Sequence, residues 1–249
     1  MRIALVFSLL MLLFSTSVHA LTIAAASSLR QAMGDLEEAF LEQHPDTGIR
    51  VIFGSSGKLT AQITNGAPYD VFLSADTAYP ERLVALGAAA SEPAIYARGR
   101  LVLWYREPDR TNPELAGLLD QDIRRIAIAQ PRHAPYGQAA LEVLGSAGLW
   151  QAVKPKLVYG ENVGQAAAMV ASGAADAGLI AWSLTHSPEL AGRSFALINE
   201  DLHSPLAMAM VITRQGADNP DARNFSNFLQ TITAQDILQQ YGFQAPTTD

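Results

Sequence analysis

Four short segments of this chain combine serine, glycine and other small residues with hydrogen-bond donors. They are residues 24–29 (Ala-Ala-Ala-Ser-Ser-Leu), 53–58 (Phe-Gly-Ser-Ser-Gly-Lys), 134–137 (Ala-Pro-Tyr-Gly) and 160–164 (Gly-Glu-Asn-Val-Gly). Small residues let a ligand approach the backbone, and the first N–H groups of a helix donate hydrogen bonds and carry partial positive charge. The segments therefore predict a site for a small anion or a polar metabolite, built without cationic side chains.

Each segment taken alone also has a simpler explanation. Serine is one of the preferred N-cap residues of helices, so Ser27 or Ser55 by itself is better explained as a cap. Four such segments in one chain favour a binding site, provided that the fold gathers them at one place.

The segments lie between predicted strands and helices. Strands are predicted at residues 21–26, 50–53, 71–74, 100–105, 124–129, 156–159, 177–181, 195–198 and 206–213. Helices are predicted at residues 28–44, 58–65, 79–86, 137–144, 163–172, 220–233 and 234–241. Alternating strands and helices indicate an α/β fold in which mostly parallel sheets are covered by helices on both faces.

Two α/β sets follow one another without a flexible linker, which predicts two doubly wound lobes joined by hinge strands. Lobe I would comprise residues 21–99 and 205–249, and lobe II residues 100–204. Ligands of such folds bind at the carboxyl ends of the strands, between the lobes. A single doubly wound domain is the alternative.

Composition excludes several classes of function. Of 249 residues, 49% are hydrophobic, which favours a folded chain over a disordered one. The 17 Lys and Arg against 24 Asp and Glu give a net charge of −7, so nucleic acid and anionic lipid are not expected partners. The absence of cysteine excludes thiolate catalysis, cysteine-ligated metal and a lipid anchor on an N-terminal cysteine.

Residues 1–20 have the pattern of a signal peptide. Arg2 is followed by an apolar stretch at residues 3–14, and Val18-His19-Ala20 matches the small-x-Ala pattern of a cleavage site. The apolar stretch is too short to span a bilayer. We therefore expect export, cleavage after Ala20 and a freely diffusing periplasmic protein.

With these features the chain resembles the periplasmic molybdate-binding proteins of ABC transporters. The resemblance is carried by residues 24–33, 53–59, 66–76, 133–137, 161–163 and 241–243, and covers nearly the whole mature chain in order. It implies the type II periplasmic-binding-protein fold, in which two α/β lobes close on a tetrahedral oxyanion. It also implies a monomeric protein without enzymatic activity or cofactor, which captures molybdate or tungstate in the periplasm and delivers it to an ABC permease in the inner membrane.

The resemblance assigns ligand-binding roles to five residues. The hydroxyls of Ser28 and Ser56 correspond to the family's serine donors, and Ser27 stands in a slot that also donates in some members. The backbone N–H groups of Tyr136 and Val163 correspond to the family's amide donors.

One position departs from the family pattern. Many members have a tyrosine whose hydroxyl binds the oxyanion where this chain has Ala181. Other members carry a tyrosine at the third segment, so the hydroxyl of Tyr136 is expected to replace the missing donor. Packing over the rim of the cleft is the alternative role for Tyr136.

Neutral donors suit a molybdate dianion, which has four oxygens and no proton at neutral pH. Hydroxyl and amide groups donate to such oxygens, whereas carboxylates would repel them. No free metal cation is expected, since molybdenum would enter only as its oxyanion. Molybdate would be distinguished from sulfate by cavity size, and sulfate, phosphate or another oxyanion is the alternative ligand.

A serine hydrolase is the alternative from another class of protein. Residues 54–57 (Gly-Ser-Ser-Gly) lack the Gly-x-Ser-x-Gly spacing of a nucleophile elbow. Among the histidines of the mature chain, His133 alone is close in sequence to a candidate segment. We interpret His133 as a solvated loop residue.

Overall fold

The computed structural model describes residues 20–107, 113–190 and 193–246. The predicted signal peptide lies outside these residues except for Ala20. The described chain forms two five-stranded sheets with flanking helices, and we refer to the parts of the protein built on them as lobe I and lobe II. Within the described residues, every helix is too short or too polar to cross a membrane.

The sheet of lobe I contains strands from both ends of the described chain. Its members are β1 (Leu21–Ala26), β2 (Ile49–Gly54), β3 (Val71–Leu73), β4 (Ala94–Gly99) and β10 (Leu206–Ile212). They are arranged in the order β2-β1-β3-β10-β4. Strand β1 pairs in parallel with β2 and β3, whereas β10 runs antiparallel to β3 and β4.

The sheet of lobe II is built from the middle of the chain. Its members are β5 (Leu101–Tyr105), β6 (Ile126–Ala129), β7 (Leu157–Gly160), β8 (Ala177–Ala181) and β9 (Phe195–Leu197). They are arranged in the order β7-β6-β8-β5-β9. Strand β6 is parallel to β7 and β8, and β5 is antiparallel to β8 and β9.

These sheets confirm the predicted α/β class with two lobes, but the prediction of mostly parallel sheets is wrong because each sheet is mixed. The chain leaves lobe I through β4 and returns through β10, so the two strands run in opposite directions. An apolar run shows that a strand is buried but carries no information about its direction. The division of the lobes at residues 99/100 and 204/205 stays a proposal.

Strand β4 is an element that the apolar pattern does not predict. Its sequence, Ala-Ile-Tyr-Ala-Arg-Gly, includes an arginine, and its burial alternates irregularly along the strand. Strand β5 begins only two residues after β4 ends, so the chain crosses from one sheet to the other through Arg100 alone. Glu200 accepts a hydrogen bond from Arg98 at 2.9 Å and one from Gln244 at 3.1 Å beside this crossing.

Eight α-helices cover the sheets. They are α1 (Met33–Leu41), α2 (Ser56–Thr64), α3 (Ala78–Ala85), α4 (Pro135–Ser146), α5 (Trp150–Val153), α6 (Val163–Ala171), α7 (Pro220–Phe228) and α8 (Ile232–Gln240), counted within the described residues. The predicted helix at residues 28–44 is divided, since a 3₁₀ turn at Ser27–Leu29 precedes α1. The residues of this turn contact lobe II, because the Ser27 hydroxyl accepts a hydrogen bond from the Gly164 N–H and the Ser28 carbonyl accepts one from the Ser183 hydroxyl.

The core continues from one sheet to the other. All four residues of Ile126–Ala129 and all five of Ala177–Ala181 are buried, as expected for strands covered on both faces. Among the largest fully buried side chains are Trp104, Tyr96 and Tyr136. The backbones that end beside the cleft are therefore rigidly supported, which fixes the positions of the loops that follow them.

Candidate functional site

The four serine- and glycine-rich segments meet at one cavity between the lobes. The cavity has an empty volume of about 200 Å³. Its lining includes all five residues assigned from the sequence, namely Ser27, Ser28, Ser56, Tyr136 and Val163. Lobe I contributes the loops after β1 and β2, and lobe II those after β6 and β7, because all four strands end at the cleft.

In the first loop, Ser27 and Ser28 are both buried just after β1. The hydroxyl oxygen of Ser28 has no hydrogen-bond partner among the described residues. The Ser28 carbonyl accepts a hydrogen bond from the Ser183 hydroxyl at 2.7 Å, which fixes the backbone of this turn. The Ser27 hydroxyl oxygen accepts from the Gly164 N–H at 3.3 Å, so its own proton remains available for donation.

In the second loop, Ser55 and Ser56 stand where β2 passes into α2. Ser56 is the first helical residue, and its hydroxyl oxygen accepts from the Ala75 N–H at 3.0 Å. A hydroxyl that accepts in this way still has a proton to donate, here toward the cavity. Ser55 occupies the N-cap position of α2 but makes no side-chain cap bond. Ser27 is the first residue of its 3₁₀ turn, whose N-cap is Ala26, and its hydroxyl bonds to Gly164 of the other lobe. Capping therefore does not explain either serine.

In the third loop, Tyr136 is the second residue of α4, directly after Pro135. The first N–H groups of a helix have no intrahelical acceptor, so the Tyr136 amide can donate outward. The Tyr136 hydroxyl is fully buried and has no hydrogen-bond partner among the described residues. Burial raises the pKa of this hydroxyl far above its ordinary value, and the nearby Ser28 hydroxyl partly offsets that rise. The two hydroxyls are close to each other but are not oriented as a hydrogen-bonded pair.

Two glycines allow the Tyr136 side chain to occupy this place. A Cβ on Gly99 would lie 2.2 Å from the Tyr136 hydroxyl oxygen, which is far inside van der Waals contact. A Cβ on Gly137 would lie 2.2 Å from the Ala129 carbonyl oxygen, so α4 can pack against the end of β6 only with glycine there. The position of the tyrosine ring thus depends on residues in both lobes.

In the fourth loop, Val163 is the first residue of α6 and lines the cavity, and an N–H at this helix position has no intrahelical acceptor. Asn162 caps this helix by accepting from the Gln165 N–H at 3.0 Å. The N-termini of α2, α4 and α6 therefore all meet the cavity, and each contributes partial positive charge. The lining contains no acidic or basic side chain.

Ala181, which stands where many family members have a tyrosine, lies outside the cavity. It is fully buried at the end of β8 and is not among the residues that line the cavity. Tyr136 is the one tyrosine among the residues that line the cavity. Within the described part of the chain, no cluster of three or more His, Asp or Glu residues could hold a metal ion.

The lobes also contact each other at the rim of the cavity. His133 bonds to Ser55 through Nδ1 at 2.9 Å and accepts from the Gly57 N–H at 2.9 Å through its carbonyl. Lys58 and Glu161 form an ion pair at 2.9 Å. His133 is a half-exposed loop residue, in line with its interpretation from the sequence, but it also contacts the opposite lobe, which that interpretation did not include. Sequence reasoning missed this contact because Ser55 and Gly57 are distant from His133 in the sequence. The glycine at position 57, which lets the two backbones approach closely, is the local feature that could have indicated it.

Comparison with known proteins places this architecture in a family. Residues 21–244 match the family of bacterial extracellular solute-binding proteins. The molybdate-binding protein ModA of Rhodobacter capsulatus is 36% identical over 221 residues, covering 88% of this chain and 86% of the relative. That of Azotobacter vinelandii is 37% identical over 225 residues, covering 89% and 88%.

A solved structure gives the same result. The periplasmic molybdate-binding protein of Azotobacter vinelandii superimposes with a TM-score of 0.85 at 32% identity, covering 91% of this chain and 100% of that one. The two lobes and the cleft between them are thus shared with a protein that binds a small solute. This chain belongs to the family of bacterial extracellular solute-binding proteins, and it has their two-lobed α/β fold.

Proposed function

We propose that this protein captures molybdate, and also tungstate, and delivers the anion to an ABC permease. The observation that carries the proposal is a pair of buried hydroxyls, Ser28 Oγ and Tyr136 OH, which reach one cavity from opposite lobes without a protein partner. The relatives named as molybdate-binding proteins support the same ligand.

A buried hydroxyl without a partner is unfavourable by about 1–3 kcal/mol, so native proteins rarely keep one without a reason. Here two occur at the same cavity, one in each lobe. An oxyanion held between the lobes would supply an acceptor to both and would stabilise the closed arrangement. Both hydroxyls are therefore proposed as ligand donors.

The remaining donors around the cavity are also neutral. We assign to the ligand the hydroxyls of Ser27 and Ser56, together with the backbone N–H groups of Tyr136 and Val163. These groups can donate to a fully deprotonated tetrahedral dianion, while the three helix N-termini offset its charge. Burial of a counter-cation, with its large desolvation penalty, is not needed.

The alternative ligand is a smaller oxyanion such as sulfate or phosphate. Sulfate has the same shape and charge as molybdate but shorter bonds, so we propose that selection between the two anions depends on the size of the cavity. Titration calorimetry on the mature protein should show tight binding of molybdate and tungstate and weak binding of sulfate. Equal affinity for sulfate and molybdate would remove the proposed selectivity.

Substitution of Ser56 tests the second loop in particular. Ser56→Ala should weaken molybdate binding by about 1.5–3 kcal/mol, the contribution of a hydrogen bond to a charged group. It should also lower the unfolding temperature of the ligand-free protein, because the buried Ala75 N–H loses its acceptor. Calorimetry and thermal unfolding measure the two effects. Ser172→Ala, an exposed serine at the end of α6, is the matched control, and wild-type affinity in Ser56→Ala would exclude Ser56 as a donor.

Catalysis is not part of this proposal. Ser55 and His133 are within hydrogen-bond distance, which is the geometry of an activated serine. In the described residues, however, no carboxylate hydrogen bonds to the His133 ring to complete a triad. The pair joins the two lobes, and we propose that its role is in binding.

We further propose that the protein acts in the periplasm as a monomer. The pattern of residues 1–20 supports export with cleavage after Ala20, and the lack of cysteine supports release without a lipid anchor.

A further inference from the structure

His133 makes two contacts across the cleft with the loop that carries Ser56. It lies in lobe II between β6 and α4. Its ring nitrogen Nδ1 is 2.9 Å from the Ser55 hydroxyl, and its carbonyl accepts from the Gly57 N–H at 2.9 Å. These contacts hold the residues immediately before and after Ser56.

The loop is shaped to receive this histidine. A Cβ on Gly57 would lie 2.8 Å from the His133 Cβ and 2.5 Å from the Tyr79 hydroxyl. Glycine is therefore required for the backbones of the two lobes to come this close. The adjacent Lys58–Glu161 ion pair, at 2.9 Å, closes the same side of the rim.

Ser56 is thereby held from three directions. The Ala75 N–H of lobe I binds its hydroxyl oxygen at 3.0 Å, while the two neighbouring residues are bound by lobe II. Because positions within a fraction of an ångström decide how well a donor meets an anion, restraint of this loop affects affinity without any contact to the ligand.

We propose that His133 is a positioning residue for oxyanion binding, which holds the Ser55–Gly57 loop from the opposite lobe and so fixes the Ser56 hydroxyl against the ligand. The inference rests on the proposed function, since it takes Ser56 as a ligand donor. Residues that bridge the lobes act only while these are closed, so His133 stabilises the liganded form in particular.

The surroundings of the ring favour a neutral imidazole. Burial lowers the pKa of His133, and the charges of Lys58 and Arg132 lower it further, against an opposing effect of Glu161. A neutral ring can exchange a hydrogen bond with Ser55 in either tautomer, so the contact adds no charge to the rim.

The test compares His133→Ala, His133→Asn, Ser55→Ala and the double variant His133→Ala/Ser55→Ala. Molybdate affinity is measured by calorimetry, and ligand release by stopped-flow. His133→Ala and Ser55→Ala should each raise Kd roughly threefold to tenfold, as expected for one neutral hydrogen bond, and should speed release. The double variant should be no weaker than either single one. Asparagine can present its amide near the position of Nδ1, so His133→Asn should restore binding.

If His133 had only a structural role, His133→Ala would lower the unfolding temperature of the ligand-free protein. The proposal instead predicts that this unfolding temperature is unchanged. His44→Ala, which removes a partly buried histidine that does not line the cavity, is the control and should bind as wild type.

Wild-type affinity in His133→Ala, or additive losses in the double variant, would overturn the inference. If His133→Ala does not fold, Ser55→Ala decides alone, because it removes the same bond from the other lobe. A wild-type protein that takes up no molybdate would instead overturn the proposed function, and the inference with it.

Discussion

The double variant Ser28→Ala/Tyr136→Phe should bind molybdate about 10²- to 10⁴-fold more weakly than the wild-type protein. Each hydroxyl is expected to contribute about 1.5–3 kcal/mol as a donor to a charged ligand, and every 1.4 kcal/mol is about tenfold in Kd. Both groups are buried without a protein partner, so their removal takes nothing from the ligand-free fold. The unfolding temperature without ligand should therefore be equal or higher.

Calorimetry gives the affinity and thermal unfolding the stability. The matched control is Ser172→Ala/Tyr159→Phe, which removes the same two hydroxyl types from positions outside the cavity. Affinity close to wild type in Ser28→Ala/Tyr136→Phe would show that neither hydroxyl meets the ligand, and the donor set proposed above would have to be replaced.

The variant Gly99→Ala should weaken molybdate binding about as much as Tyr136→Phe, by about 10- to 150-fold, although Gly99 is not a lining residue. A methyl group there would lie 2.2 Å from the tyrosine hydroxyl oxygen, so the ring must move and the hydroxyl must leave its place. When Tyr136→Phe has already removed that oxygen, adding Gly99→Ala should weaken binding little further.

This double-mutant cycle separates displacement of the hydroxyl from general damage to the crossing between lobes. Gly145→Ala in α4 is the control, since a Cβ there meets nothing within 4 Å and alanine is the better helix former. Additive losses from Gly99→Ala and Tyr136→Phe would mean that Gly99 acts through something other than the tyrosine.

Local patterns in the sequence were sufficient for most elements of the fold. Strand β1 matches its predicted bounds at residues 21–26 because its apolar run is continuous. Strand β4 could not be predicted, since residues 94–99 mix small, aromatic and charged side chains and owe their strand geometry to pairing with β10. The direction of β10 likewise follows from the course of the chain between the lobes.

The candidate site likewise has one part that the sequence predicts and one part that it does not. The loops that contain Ser28, Ser56, Tyr136 and Val163 could be predicted because each combines small residues and donors with the start of a helix or a tight turn. The bond between Ser55 and His133 could not, since it joins residues 78 apart and exists only when the two lobes meet. Sequence patterns report local geometry, and contacts between separately folded surfaces lie beyond them.

The crossing from β4 to β5 constrains how the protein can release its cargo. With Arg100 as the only residue between the strands, few soft backbone torsions are available at this point. Separation of the lobes must therefore occur as a swing about a narrow pivot, because sliding of one sheet past the other would break the strands themselves. Each lobe would then move as a rigid body, and the hydrogen-bond donors on each wall of the cleft would keep their arrangement for the next ion.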